Sequence, residues 1–91
     1  MGATSRQLTI INKLGLHARA AAKLVNTSGQ FTSSVTVKCN GKDANAKSIM
    51  SVMMLAATKG TDIEIVTEGD DSEAALEAVC ALIDDRFGEP E

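Results

Sequence analysis

The spacing of apolar residues switches repeatedly between that of a strand and that of a helix, and this switching constrains the fold more than any other feature. Apolar and polar residues alternate over residues 6–10, 31–39 and 61–65, which is typical of strands with one buried face. Asn40 and Gly41 form a strong two-residue hairpin signal, so residues 42–44 are predicted to return as a short strand. Four amphipathic strands are therefore expected.

Two helices are predicted between these strands. Apolar residues follow helical spacing from Ala18 onward, and Gly29 suits the C′ position at which that helix is expected to stop. The stripe predicted to face inward is mostly alanine: Ala18, Ala21, Ala22 and Val25. Ser48 suits the N-cap of a second helix, because its hydroxyl can accept a hydrogen bond from a free first-turn amide. Residues 59–60, Lys-Gly, are expected to end this helix.

A third helix is predicted after the last strand. The acidic residues 70–73 suit its positive N-terminal end, and Asp70 with Glu73 resembles a capping box. Its apolar stripe is long: Leu76, Val79, Cys80, Ile83 and Phe87. The predicted element order is therefore β-α-β-β-α-β-α.

This order predicts an α+β fold, an open-faced two-layer sandwich. Three helices would cover one face of a four-stranded antiparallel sheet, and the other face would be solvated. The 91 residues suit one domain over residues 1–91, with residues 1–5 and 88–91 expected to fray.

The composition argues against several classes of function. Phe31 and Phe87 are the only aromatic residues and the net charge is −3, which disfavours nucleic-acid binding. No stretch approaches the roughly 20 apolar residues of a membrane span, and the N-terminus has no signal core, so a cytoplasmic location is expected. Cys39 and Cys80 are far apart in a chain with one histidine, so we expect two buried thiols and no metal or cofactor.

His17 is the only histidine, and it lies where a loop becomes the first helix. Free amides at a helix start are donors for an anion such as phosphate, and a neutral imidazole is a nucleophile. Arg19 can add a planar cationic fork for phosphoryl oxygens. These residues suit a site that accepts a phosphoryl group. The plainer alternative is a surface histidine beside a solvated arginine.

Two segments resemble one known family. Residues 12–24 read Asn-Lys-Leu-Gly-Leu-His-Ala-Arg-Ala-Ala-Ala-Lys-Leu, and residues 46–55 read Ala-Lys-Ser-Ile-Met-Ser-Val-Met-Met-Leu. Both are similar to the HPr family, the histidine-containing phosphocarriers of the bacterial phosphoenolpyruvate-dependent phosphotransferase system. The likeness runs from about residue 8 to residue 87, and the predicted element order is the one this family has.

The resemblance implies roles for individual residues. His17 would accept a phosphoryl group from enzyme I on Nδ1 and pass it to a IIA protein or domain. Arg19 and the backbone amides of Ala18 and Arg19 would hold the phosphate. The protein would be a monomeric carrier without a cofactor and not an enzyme. Ser48 matches the regulatory serine that an HPr kinase/phosphorylase modifies in some bacteria, and the alternative is a plain helix cap.

The second helix has more apolar residues than one face requires. Val52, Leu55 and Ala56 are expected to point inward, which leaves one group near the helix start: Ile49, Met50 and Met53. Such a stripe alone is more typical of a core, but the resemblance implies a surface that docks partners, for which flexible methionines are suited.

The chain departs from many relatives at two positions near His17. Ala20 stands where proline is common, and the helix is expected to survive because alanine favours helix formation. Leu14 stands where a small polar residue is common, which leaves the amides and Arg19 more of the phosphate binding.

Other functions remain open. An HPr-like regulatory module acts by contact and lacks the active-site histidine, so His17 opposes that alternative. A small ligand-binding domain of ferredoxin-like type leaves the segment around His17 unexplained. The sequence does not separate a sugar-transport carrier from one of the nitrogen-related regulatory branch.

The charges are divided unevenly along the chain. Residues 1–47 contain seven basic residues and one acid, and residues 48–91 contain two basic residues and eleven acids. This division predicts a basic ring around the apolar patch, with the acids elsewhere, that attracts acidic partners. The ring would consist of Lys13, Arg19, Lys23 and Lys47.

Overall fold

The computed structural model describes residues 3–91 and confirms the predicted order of strands and helices. The first two helices lie between the predicted strands and the third follows the last strand, as expected, and a short 3₁₀ turn over Arg86–Gly88 comes after the third helix. The elements are β1 Ala3–Thr9, α1 Ala18–Ser28, β2 Ser34–Cys39, β3 Lys42–Asn45, α2 Ile49–Met54, β4 Asp62–Glu68 and α3 Ser72–Asp84.

The four strands form one antiparallel sheet in the order β1-β4-β2-β3. Alternate side chains of each inner strand are buried, for example Val35 and Val37 on β2 and Ile63 and Ile65 on β4. Helix α3 packs against β1 and β4, and α1 packs against both other helices. The helices therefore cover one face of the sheet, as the alternating pattern predicts.

The hairpin between β2 and β3 is confirmed at the predicted residues. Asn40 and Gly41 both have positive φ, 53° and 79°, as a type I′ turn requires. The turn sets the register in which Cys39 lies opposite Lys42 and Val37 opposite Ala44.

Helix α1 buries the predicted stripe only in part: Ala21 is buried and Val25 packs partly buried against the core. Its buried residues are Ala20, Ala21, Leu24 and Ser28. Ala18 is exposed, because the first turn faces the loop surface and not the sheet. The helix ends at Ser28 and Gly29 follows it directly, which confirms the predicted end, and Gly29 has a right-handed φ of −67°. Ala20 lies inside the helix and fully buried, so the first turn forms without proline.

Helix α2 is shorter than predicted. It ends at Met54, and Ala56 has a φ of 53° and is exposed, so both the inward placement of Ala56 and the end at residues 59–60 are wrong. The residues after Met54 leave the helix because their backbone groups form hydrogen bonds outside it. The carbonyl of Ala57 accepts from the amide of Leu16 at 2.9 Å, and the amide of Gly60 donates to the carbonyl of Ile10 at 2.7 Å.

The start of α3 also differs from the prediction. Asp71, not Asp70, is the N-cap residue, and its side chain makes no cap to its own helix. Its carboxylate instead accepts hydrogen bonds from the amides of Thr32 and Ser33 and from the Ser33 hydroxyl. These contacts tie the loop after α1 to the start of α3, which a capping box would not do.

Residues near both ends of the described part of the chain contact the rest of the fold. Strand β1 begins at Ala3 and pairs with β4, and residues 1 and 2 lie outside the described residues, so the expected fraying of residues 1–5 stays a prediction. At the other end, Phe87 is fully buried and the residues after it fold back over the loop before α1. Burial of this aromatic ring is what holds the end of the chain in place.

Candidate functional site

His17 lies at the N-cap position of α1, where the sequence places it. Its backbone is extended, with φ −75° and ψ 178°, and the helix begins at Ala18. The His17 side chain accepts no hydrogen bond from the first turn of this helix, unlike the serine, threonine or asparagine side chains common at N-caps. The amides of Ala18 and Arg19 therefore keep their capacity to bind an anion at the positive helix end.

The loop before His17 is fixed by a close approach that only glycine permits. Gly15 has a φ of +69°, and a Cβ there would lie 2.4 Å from the carbonyl oxygen of Ala57. Leu16 is buried and donates its amide to that same oxygen at 2.9 Å. These two residues fix the backbone immediately before His17.

A residue that the sequence analysis did not single out contacts His17. The Nε2 atom of His17 is paired with the carboxylate of Glu89, and the two side chains are 26% and 11% exposed. The second carboxylate oxygen of Glu89 accepts from Nδ2 of the buried Asn12 at 3.0 Å, and Asn12 also donates to the carbonyl of Gly15 at 2.8 Å. Glu89 lies within residues 88–91, where fraying is expected, and it makes these contacts with Asn12 and His17.

The surroundings of Glu89 favour its ionised form. Burial acts to raise the pKa of Glu89, but the hydrogen bonds from Asn12 and His17, with the nearby charge of Lys23, outweigh it. The pKa of Glu89 consequently lies below its usual value, so the group is a carboxylate at neutral pH.

Arg19 lies on the exposed first turn of α1. Within residues 3–91 it takes part in no ion pair or side-chain hydrogen bond, so its guanidinium is available to a ligand. It lines, together with His17, a shallow cleft of about 450 Å³ bounded by the loop residues Lys13 and Leu14 and by tail residues 89–91. The structure thus brings the predicted nucleophile and the predicted phosphate partner to one cleft.

Three of the four basic residues predicted to form a ring make contacts within the fold. Lys13 pairs with Glu91 at 3.5 Å, and Lys23 donates to the carbonyl of Phe87 at 2.6 Å. Lys47 donates to the carbonyl of Phe31 at 2.8 Å. The expectation that the acids lie elsewhere is wrong for the tail, because the chain after α3 returns acidic residues to the cleft.

Ser48 is the N-cap of α2, as predicted, and its hydroxyl accepts from the amide of Ser51 at 3.4 Å. Ser48 is partly buried, and the helix that follows it packs against α1. The predicted cap is confirmed, and the predicted regulatory modification at Ser48 stays a prediction.

The apolar residues near the start of α2 face outward. Ile49, Met50 and Met53 are 38%, 69% and 41% exposed, whereas Val52 is fully buried. The sequence analysis did not predict the exposure of three further apolar side chains: Ile11, Leu14 and Met54. Their size and hydrophobicity were the signal, but apolar residues of this kind are more often buried.

No helix among residues 3–91 combines the length and apolar character that crossing a membrane requires.

The chain matches known proteins over most of its length. The family model for the phosphorylation site of the HPr component of the phosphotransferase system matches residues 4–85. The phosphocarrier protein HPr of Cupriavidus necator is 55% identical over 86 residues, 94% of this chain and 97% of that protein. The phosphocarrier protein NPr of Shewanella violacea is 45% identical and 92% of each chain is covered.

The fold matches a solved structure just as closely. The crystal structure of HPr-C-His from Thermoanaerobacter tengcongensis superposes with a TM-score of 0.93 at 42% identity, covering 97% of this chain and 99% of that one. The range that the family model matches, residues 4–85, includes the loop before α1 and the start of α2.

Proposed function

The chain belongs to the HPr family, the phosphocarrier proteins of the phosphotransferase system, and from this premise we propose that His17 accepts a phosphoryl group from phospho-enzyme I and passes it to IIA proteins or domains. One observation carries the proposal: His17 stands at a helix start that its own side chain leaves uncapped, in one cleft with the unpaired Arg19.

The transfer needs a nucleophile and donors for the phosphoryl oxygens. The lone pair on Nδ1 of His17 forms the new bond to phosphorus, and the bond to the donor breaks with its electrons remaining on the donor. The amides of Ala18 and Arg19 and the guanidinium of Arg19 hold the oxygens. Leu14 offers no polar contact to this site, so these donors carry the binding.

The apolar patch near the start of α2 is proposed to dock the partner proteins. Ile49, Met50 and Met53 form an exposed apolar patch on the helix that packs beside α1. Methionine side chains adapt to differently shaped surfaces, which suits a carrier that meets a donor and several acceptors in turn. These partners act in the cytoplasm, where we expect the carrier to work as a monomer.

Ser48 is proposed as a regulatory site for an HPr kinase/phosphorylase. A phosphate on its hydroxyl would add roughly 1.5 to 2 negative charges at the edge of the apolar patch. The helix start would tolerate this charge because of its positive dipole end, whereas docking of enzyme I would be weakened.

Phosphate transfer from phosphoenolpyruvate through enzyme I tests the main proposal. The wild-type protein is expected to take up one acid-labile phosphate, and His17→Ala is expected to take up none. Ser48→Ala serves as the matched control, since it alters a neighbouring helix start and leaves His17 intact. An undiminished adduct on His17→Ala, or none on the wild type, would refute the proposal.

A carrier of the nitrogen-related regulatory branch is the second candidate, supported by the 45% identity to the NPr relative. The two candidates share their chemistry and differ in their donor. Uptake rates measured with enzyme I from each branch decide between them, because the cognate donor is expected to be faster.

A further inference from the structure

The acidic tail after α3 carries an inference about how His17 works. We propose that Glu89 is a positioning residue for the phosphoryl transfer: its carboxylate keeps a proton on Nε2 of His17, leaves the lone pair on Nδ1 and stabilises the ring when it becomes cationic. This inference rests on the proposed function of His17.

The proton placement follows from the contacts. An ionised carboxylate only accepts hydrogen bonds, so Nε2 of His17 must be the donor in its contact with Glu89. In the neutral ring the other nitrogen, Nδ1, is then unprotonated. The carboxylate therefore selects the form of the ring in which Nδ1 is the nucleophile.

A buried side chain holds Glu89 in this orientation. Asn12 is fully buried, and its Nδ2 donates both to Glu89 at 3.0 Å and to the carbonyl of Gly15 at 2.8 Å. Both partners are acceptors, which fixes the orientation of the amide group. Asn12 thus joins the tail to the loop that positions His17.

The backbone that delivers Glu89 is in an uncommon conformation. Arg86 and Phe87 have positive φ values of 56° and 55°, and Gly88 follows at 77°. Left-handed conformations of side-chain-bearing residues persist only where the surrounding structure holds them. Here the burial of Phe87 and the bond from Lys23 to its carbonyl hold them. This reversal of the chain places Glu89 beside His17, and the contacts of Phe87 keep it there.

The chemistry explains why a carboxylate is useful there. When Nδ1 binds phosphorus, the proton on Nε2 is not lost, so the neutral ring becomes a cation. When the phosphoryl group leaves, the electrons of the N–P bond return to Nδ1 and the ring leaves as neutral imidazole. A carboxylate on Nε2 stabilises the cation between these steps, as the aspartate of a Ser-His-Asp triad does for its histidine.

Three variants test the proposal. Glu89→Ala removes the contact, and Glu89→Gln keeps an acceptor for Nε2–H without its charge. Asp85→Ala is the matched control, because it removes one exposed acidic charge near the same end of the chain, outside the cleft, and the Asp85 side chain makes no cap hydrogen bond. Rapid-quench measurement of phosphate uptake from phospho-enzyme I is expected to show a rate about tenfold lower for Glu89→Ala, as for loss of a hydrogen bond to a charged group. The rate of Glu89→Gln is expected to lie between those of Glu89→Ala and the wild type, and Asp85→Ala is expected to match the wild type within about twofold.

An independent measurement follows the proton itself. In ¹⁵N-labelled protein without phosphate, a downfield Nε2–H signal of His17 is expected in the wild type, Asp85→Ala and Glu89→Gln, and its loss is expected in Glu89→Ala. Equal uptake rates for Glu89→Ala and Asp85→Ala, or an Nε2–H signal that survives in Glu89→Ala, would overturn the proposal. If the wild type takes up no phosphate, the proposed function is refuted. This result differs from every outcome for the Glu89 variants, which concern the rate of uptake and the Nε2–H signal.

Discussion

The starts of α1 and α2 have similar backbones but opposite chemistry. His17 and Ser48 are both N-cap residues with extended backbones, but only Ser48 uses its side chain to cap its helix. The ring of His17 pairs with Glu89 instead. A capping side chain would occupy the amides that an incoming phosphoryl group needs, so its absence at α1 costs helix stability and leaves an anion site.

The two helix starts also differ in how far apart along the sequence their contacting residues lie. The cap of α2 joins Ser48 to Ser51, three residues away. At α1, His17 contacts Glu89, which lies 72 residues further along the chain. A stabilising cap can thus form within one turn, whereas the site at His17 needs the assembled fold.

The largest expected effect comes from making the start of α1 resemble that of α2. His17→Ser is expected to take up no phosphate, because the nucleophile is lost. It is also expected to be about 1 kcal/mol more stable than His17→Ala, since both lose the contact to Glu89 and only serine can cap. Urea unfolding and the phosphate assay measure the two effects. Equal free energies of unfolding for the two variants would mean that the first-turn amides of α1 are not available to donate hydrogen bonds to a capping side chain.

Replacing Phe87, whose burial holds the tail in place, should disrupt the contact between His17 and Glu89 at the start of α1 and leave the start of α2 unchanged. Phe87→Ala is expected to lower the free energy of unfolding by about 3 kcal/mol, because a fully buried aromatic side chain is lost. The Nε2–H signal of His17 should disappear while the Ser51 amide resonance stays in place. The control is Pro90→Ala in the same tail, expected to change stability by less than about 0.5 kcal/mol. A shift of the Ser51 resonance as large as that at His17 would contradict this separation.

Removing the cap of α2 should affect stability and not transfer. Ser48→Ala is expected to cost about 0.5 kcal/mol, at the low end for a lost cap because the 3.4 Å hydrogen bond is long. Ser51→Ala is the control, since it keeps the backbone amide that donates to the cap. Phosphate uptake should be unchanged in both variants. Ser48→Asp keeps an acceptor for this amide and is expected to slow uptake from enzyme I, and an unchanged rate would argue against regulation at this residue.

The start of α3 adds a comparison that depends on pH, and here the smallest effect is expected. Hydrogen bonds from the Ser33 side chain and from the backbone of Thr32 lower the pKa of Asp71 from 3.8 to about 2. A depressed carboxyl pKa contributes stability that is complete above pH 3.8 and is lost as the pH falls towards 2. Asp71→Asn should therefore show a shallower loss of stability over this range in acid unfolding. The exposed Asp70→Asn is the control, and identical slopes for all three proteins would refute the assignment.

Most of the fold could be predicted because it depends on local patterns. The alternation of apolar residues placed the strands, Asn40 and Gly41 placed the hairpin, and the hydroxyl of Ser48 indicated a cap. Errors arose where a distant partner decided the outcome. Helix α2 ends early because Ala57 pairs with Leu16, and Asp71 binds the loop after α1 in place of its own helix.

The sequence by itself determined the order of strands and helices and that His17 begins a helix beside Arg19, since periodicity and capping act within one or two turns. Only the tertiary structure decided that an acidic tail returns to His17. That contact depends on the burial of Phe87 and on the two acceptors that Asn12 holds, and no local pattern encodes either. Charge counted along the chain predicted acids away from the site, but folding places Glu89 directly on it.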